Sequence, residues 1–133
     1  MFGNGTLVFS KTNTSAITIP AFSAVTQDLA VNDGINLCST NQRALGISPE
    51  YDLTANSVGP IAFGGIVRWI LGTGGALRGD RLKSDASGHG VKIATGGTTI
   101  QNVTAIAAEA GSADDAIMSQ IFLVQEAPGD YLS

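Results

Sequence analysis

The sequence predicts an all-β fold: a single-domain small β-barrel or sandwich-like unit with two similar β units and extended termini. Three observations carry that expectation. Helical periodicity is almost absent, while β-branched residues alternate with polar ones and are broken roughly every 8–12 residues by Gly, Asn, Asp or Pro clusters. Two stretches follow one script. Residues 21–25, 43–50 and 60–71 are matched by 76–82, 103–110 and 115–124, each set giving a turn into a strand, a small-residue strand ending near Glu, and a longer closing strand. The length of 133 residues fits one domain with one apolar core.

Residues 6–10 and 16–19 read as the first two strands, and Pro20, which cannot donate to a ladder, ends the second. Residues 25–31 and 35–39 flank Asn32-Asp33-Gly34, a hairpin signal. Residues 43–47 follow, stopped by Pro49. The strongest strand is 61–71. Ile61, Phe63, Val67, Trp69 and Leu71 share one face, and Ala62, Ile66, Arg68 and Ile70 share the other. Apolar on both faces, it belongs at the centre of the fold or against a neighbouring subunit. Gly64-Gly65 marks a bulge or bend within it, and Arg68 must reach solvent or a carboxylate.

Residues 72–75 form a turn, and 80–84 and 91–94 bracket a loop over 85–90. Residues 104–110 are Ala-rich enough for a short helix, but their place in the repeat assigns them to a strand. Residues 53–58 accommodate one helical turn, and 116–124 form the last strand. The organisation is therefore an N-terminal region of strands or arm (1–19), a core (20–124) and a tail (125–133). Gly3-Asn4-Gly5 ahead of Leu7, Val8 and Phe9 suggests an arm that is disordered alone and becomes an added strand on a partner.

Composition narrows the function. Apolar residues make up 44% and charged residues 14%, against about 25% in ordinary soluble domains. A largely neutral polar surface is cheap to desolvate and suits broad protein contacts, which favours an assembly subunit. Net charge is −4 with seven dispersed basic residues, which excludes phosphate-backbone binding and hence a nucleic-acid partner. No apolar run approaches the roughly 20 residues of a membrane helix, and the first residues lack signal-peptide features, so synthesis in a cytoplasm is expected. The lone Cys38 sits in an apolar stretch and reads as a buried small hydrophobe.

Catalytic signals are weak throughout. His89, the only histidine, stands between two glycines with nothing to fix its tautomer. Asp114-Asp115 sit in a turn, and Asp80 and Asp85 bracket a short strand without calcium-loop spacing. One His and one Cys cannot build a zinc site alone. Gly72-Thr73-Gly74-Gly75 lacks the Lys-Ser/Thr and helix of a phosphate loop. Arg78-Gly79-Asp80 and three Asn-x-Ser/Thr triplets are short enough to arise by chance. The expectation is a structural protein with no enzymatic activity, no cofactor, no metal and no small-molecule substrate.

The runs Gly65-Ile66-Val67-Arg68-Trp69-Ile70-Leu71-Gly72, Arg78-Gly79-Asp80-Arg81-Leu82-Lys83-Ser84-Asp85-Ala86-Ser87-Gly88 and Ala105-Ile106-Ala107-Ala108-Glu109-Ala110-Gly111 resemble the capsid cement or head decoration proteins of tailed bacteriophages. Those proteins carry a "G-D-x-L-x-x-D-x-x-G" stretch, an "A-x-A-x-E-x-A" stretch and a terminal strand. The resemblance spans roughly residues 20–124, and the regions before and after are departures from it. It implies a β-rich virion protein, made in the host cytoplasm, that sits on the outer capsid surface. There it would stabilise contacts between major capsid protein subunits, with a homotrimer as its working form. A tail or fibre component, or a receptor- or carbohydrate-binding module, is the alternative. Candidate capsid or subunit contacts are Phe2, Leu7, Val8, Phe9, Ile66, Arg68, Ile70 and Tyr131.

Overall fold

A computed structural model describes residues 6–97 and 100–121. It is all-β. Among the described residues the nine strands are β1 (Leu7–Asn13), β2 (Ala24–Gln27), β3 (Gly34–Leu37), β4 (Gly46–Ile47), β5 (Val58–Ile70), β6 (Arg81–Ser84), β7 (Gly90–Lys92), β8 (Ala105–Ala107) and β9 (Ala116–Ile121). Hydrogen-bonded neighbours run β1-β3-β2-β4-β5, and β1 pairs again with β5, which closes a five-stranded barrel. From the far half of β5 the order continues β9-β8-β6-β7, and a parallel bridge between Leu71 and Gly90 brings β7 back to the end of β5. The second group thus forms a ring on the plan of the first. Closure leaves few sheet edges to manage.

The repeat is visible bond by bond. Ser10 pairs with Pro60 and Thr12 with Val58 across β1 and β5; 58 positions later Arg68 pairs with Met118 and Ile70 with Ala116 across β5 and β9. The Asn13 N–H donates to Ser57 O and the Asn56 N–H to Asn13 O. Leu71, Asp115 and Asp114 repeat the arrangement. Asn56 and Asp114, at the same place in the two rings, both have positive φ (66° and 70°), a conformation that Asn and Asp tolerate best among residues with a Cβ. The isolated bridges Ile19–Leu53 and Ala76–Gly111 are likewise equivalent.

β5 belongs to both rings. Its first half pairs with β1 and β4, its second half with β9. The register shifts opposite Leu7 and Val8, and Gly65 takes φ 85° at the crossing point, so the glycine pair does mark a bulge. Ile61 lines the first ring and Val67, Trp69 and Leu71 line the second, as the alternation predicts. Ala62 is the exception on the other face, because the second ring covers it.

Four expectations are corrected. The length predicts one core, but two apolar clusters form. Ile19, Val25, Ile35, Leu53 and Ile61 fill the first ring, and a larger cluster around Trp69, Leu82, Ile117 and Ile121 fills the second and the seam. Residues 7–13 are no free arm, since β1 closes the first ring against β5 and β3. Residues 16–19 contribute only one bridge. The buried Asn13 side chain donates from Nδ2 to Ile17 O and Leu53 O, and its Oδ1 accepts from the Ser15 N–H and hydroxyl, which bends the chain out of the ladder. Residues 53–58 hold a turn rather than helix, with the Ser57 N–H and hydroxyl both donating to Thr54 O.

Candidate interaction surface

The seam between the rings fixes their relative placement. Gly88 O accepts from the Ala24 N–H (2.8 Å) and from Trp69 Nε1 (2.9 Å), so one loop carbonyl ties β2 of the first ring to the core of the second. A Cβ at Gly88 would lie 2.7 Å from Leu37 Cδ1 and 3.0 Å from Ala24 O, so the approach requires glycine. The Asn41 N–H donates to Ser84 O and the Ile70 N–H to Phe22 O. Asn41 and Asn102 add a second clamp: Asn41 Oδ1 accepts from the Asn102 N–H, and Asn102 Nδ2 donates to Asn41 O. Cys38 lies in this seam, and burial pushes its thiol up to about 12, partly offset by a hydrogen bond with Ser84.

On that frame the outer faces of β1, β5 and β9 run together. Cross-strand partners share a face, so Ile66, Arg68 and Ile70 stand with Gln120, Met118 and Ala116. Ile66 is 43% exposed and Ile70 half-buried. Arg68 meets the carboxylate expected of it, Nη1 lying 3.9 Å from Glu109 Oε1, and it also donates from Nη1 to Ala116 O (2.9 Å). Glu109 in turn accepts from the Met118 N–H. Both side chains of this pair are about half exposed, so its worth to stability is under about 1 kcal/mol.

Leu7 and Val8 are exposed near the β5 bulge, and the Thr6 hydroxyl donates to Ile66 O, which brings the Leu7–Val8 corner to Ile66. Phe9 is half-buried against the first core. Its ring meets Phe63 edge-on at 4.7 Å, and Lys11 Nζ sits 4.9 Å over it. Phe2 and Tyr131 lie outside the described residues. Of the candidate contacts, Leu7, Val8, Ile66, Arg68 and Ile70 therefore form one neighbourhood, and Phe9 underlies it. Val58, 63% exposed at the foot of the same face, was missed because residues 53–58 read as a turn of helix. Leu29, 97% exposed, was also missed because 25–31 read as one strand. Applying the repeat to the loop at 85–90 would have placed a loop there.

The acidic residues serve turns. Asp85 Oδ1 accepts from the Ser87 and His89 N–H groups, Asp80 Oδ2 from the Leu77 N–H, and Asp115 Oδ2 from the Ser112 N–H. Among the described residues, no three of His, Cys, Asp and Glu gather where they could hold a metal ion. No described helix is long and apolar enough to cross a membrane.

No family model matches the chain, and neither does any curated protein. Among solved structures the chain is similar to the head fiber gp8.5 N base of bacteriophage phi29. The TM-score is 0.66 at 15% sequence identity, over 90% of this chain and 98% of that one. At that identity the likeness is one of fold.

Proposed function

We propose that the chain is a structural virion protein of a tailed bacteriophage that binds the outer surface of the head and stabilises contacts between major capsid subunits. The observation that carries this reading is the fold shared with nearly the whole length of a phage head-fiber base. The motif resemblance and the neutral, low-charge surface favour the same role. The face containing Leu7, Val8, Ile66, Arg68 and Ile70 is the proposed capsid contact, and a homotrimer the proposed working form. A protein that binds only the assembled lattice stabilises it by mass action, and several linked contacts gain from effective concentration.

The chemistry needed is complementarity rather than catalysis. Together His89→Ala, Asp114→Asn and Asp115→Asn should leave head binding unchanged, at the cost of a turn cap; a large loss with folding intact would point to a chemical role. The direct experiment is co-sedimentation of purified protein with expanded and unexpanded heads. Retention on expanded heads, reduced tenfold or more by Ile66→Asp, supports the reading, and absence of binding to either form contradicts it. The name of the phi29 protein favours a second reading, the base of a projecting fibre. Electron microscopy of decorated heads separates the two, since a cement gives low knobs and a fibre base carries a stalk.

A further inference from the structure

Each side of the seam inside the molecule has an equivalent in the other ring. In the first ring, Ala24, Cys38, Ala44, Ile47 and Ala62 point outward and are covered by the second ring, joining its core cluster. Matching hydrogen bonds identify their equivalents. Cys38 N to Ala24 O corresponds to Ile93 N to Arg81 O, and Leu45 N to Val25 O corresponds to Thr104 N to Leu82 O. The pair Ile47–Ala62 corresponds to Ile106–Gln120. The equivalent positions of the second ring are Arg81, Ile93, Val103, Ile106 and Gln120, of which Ile93 and Val103 are buried, Arg81 and Ile106 half-buried and Gln120 exposed. A cleft of about 370 Å³, lined by Asp80, Arg81, Lys92, Ile93 and Ile106 among others, lies there.

The other half of the seam is the loop 85–89 between β6 and β7, which presents Gly88 to Ala24. Its equivalent in the first ring is the loop 28–33 between β2 and β3. That loop is built. The two hydrogens of Gln27 Nε2 are shared among the carbonyls of Asp28, Val31, Asn32 and Gly34, all within 3.1 Å, and Asp28 Oδ1 accepts from the Ala30 N–H. The hydrogen bond from Thr14 and that from Ala30 hold the Asp28 carboxyl below its usual range. Even Lys11, which occupies the position of Trp69, reaches the loop carbonyl of Asn32 as Trp69 reaches Gly88. On this rigid loop Leu29 is 97% and Val31 45% exposed.

We propose that these two surfaces meet between copies: loop 28–33 of one copy seats in the cleft at Arg81, Lys92 and Ile106 of the next, repeating between molecules the contact that joins the rings within one. The occupant is a second copy of this chain. Its loop brings the exposed Leu29 and Val31 with Asp28 and Asp33, and the cleft presents the half-buried Ile106 beside the exposed Lys92, whose ammonium lies 3.7 Å from Asp80, so an apolar contact is flanked by opposite charge. The contact is heterologous, so it generates a closed ring of copies where the rotation closes, and a closed trimer would set six barrels about one axis. This deepens the self-association part of the function proposed above, and it is tested by mass in solution, independently of any head.

The experiment is sedimentation velocity of the whole chain over a wide concentration range. Expected is a mass that rises above the 13.5 kDa chain to a defined multiple. Leu29→Asp, on the loop, and Ile106→Asp, on the cleft, should each give monomer with an unchanged circular dichroism spectrum. Each variant keeps the half the other has lost, so an equimolar mixture should form a dimer and nothing larger. Three results overturn the proposal: a wild-type monomer at every concentration, full assembly by Leu29→Asp, or a mixture that fails to pair while the wild type assembles.

Discussion

The two rings share a hydrogen-bond plan and almost nothing of their cores. The first is filled by Ile19, Val25, Ile35, Leu53 and Ile61, with Leu45 against them. At the same places the second has Ala76, Leu82, Gly90, Gly111, Ser119 and Thr104. The lost volume is restored from one position: Trp69 stands where the first ring has Lys11, fully buried, and its indole lies over Gly90, where a Cβ would be 3.0–3.2 Å from the ring. Five aliphatic side chains in one ring are thus answered by one indole and several small residues in the other. Backbone pairing and turn chemistry define this unit, and many packings satisfy it.

The largest effect should come from removing what closes the first ring. Deleting residues 1–13 takes away β1 with Phe9 and the buried Asn13, and should abolish cooperative unfolding of the first ring at 25 °C. Melting followed by circular dichroism reads this, and a truncated protein with nearly unchanged melting would return β1 to the status of an arm. Next, Trp69→Ala should cost about 3–5 kcal/mol in urea denaturation, because Ala76, Gly90, Gly111 and Ser119 are too small to fill the space the fully buried indole would leave. Gly90→Val alone should cost about 1–3 kcal/mol by crowding the indole. Combined with Trp69→Ala it should cost less than the sum by more than about 1 kcal/mol, since the two volumes compensate. Strict additivity would mean that the two sites do not share a space.

Smaller effects probe the seam and the polar atoms of the second core. Burial raises the Cys38 thiol to about 12 from 9.0, so the folded state resists the thiolate. Its contribution is fully present below pH 9 and is lost as pH rises towards 12. Stability should therefore fall above pH 9 more steeply in the wild type than in Cys38→Ala, and parallel pH curves would contradict the burial. Thr104 Oγ1 and Ser119 Oγ are buried without a partner, at positions where the first ring has Leu45 and Ile61. Thr104→Val should leave stability unchanged or raise it by up to about 1 kcal/mol. A clear loss would show that the hydroxyl is satisfied.

The comparison also explains what the sequence could disclose. The repeat, the glycine bulge in β5, the all-β class and the partner for Arg68 were legible because turn residues and period-2 alternation encode them locally. The second apolar cluster was not. Trp69 and Ile61 alternate on one strand face, and only the bulge sends them into different rings. Residues 16–19 have strand composition, yet the Asn13 side chain bonds Ser15 and Ile17 locally and Leu53 O across the ring, and only that last contact, 40 residues away, has no local signature. Of the candidate surface, the exposed residues of β5 followed from alternation. Leu29 and the cleft at Ile106 emerge only when the two rings are superposed in register.

The account's central claim, that the molecule is two rings of one plan sharing β5, is tested most directly by amide hydrogen exchange at equivalent positions. The amides of Asn13 and Leu71, Asn56 and Asp114, and Leu45 and Thr104 make matched hydrogen bonds in the two rings. Slow exchange at both members of every pair, with Thr12 and Asn13 protected in the free protein, is the predicted result. Protection of Leu71, Asp114 and Thr104 alongside free exchange at Thr12, Asn13 and Asn56 would contradict it, leaving one ring and an arm that orders only on a partner.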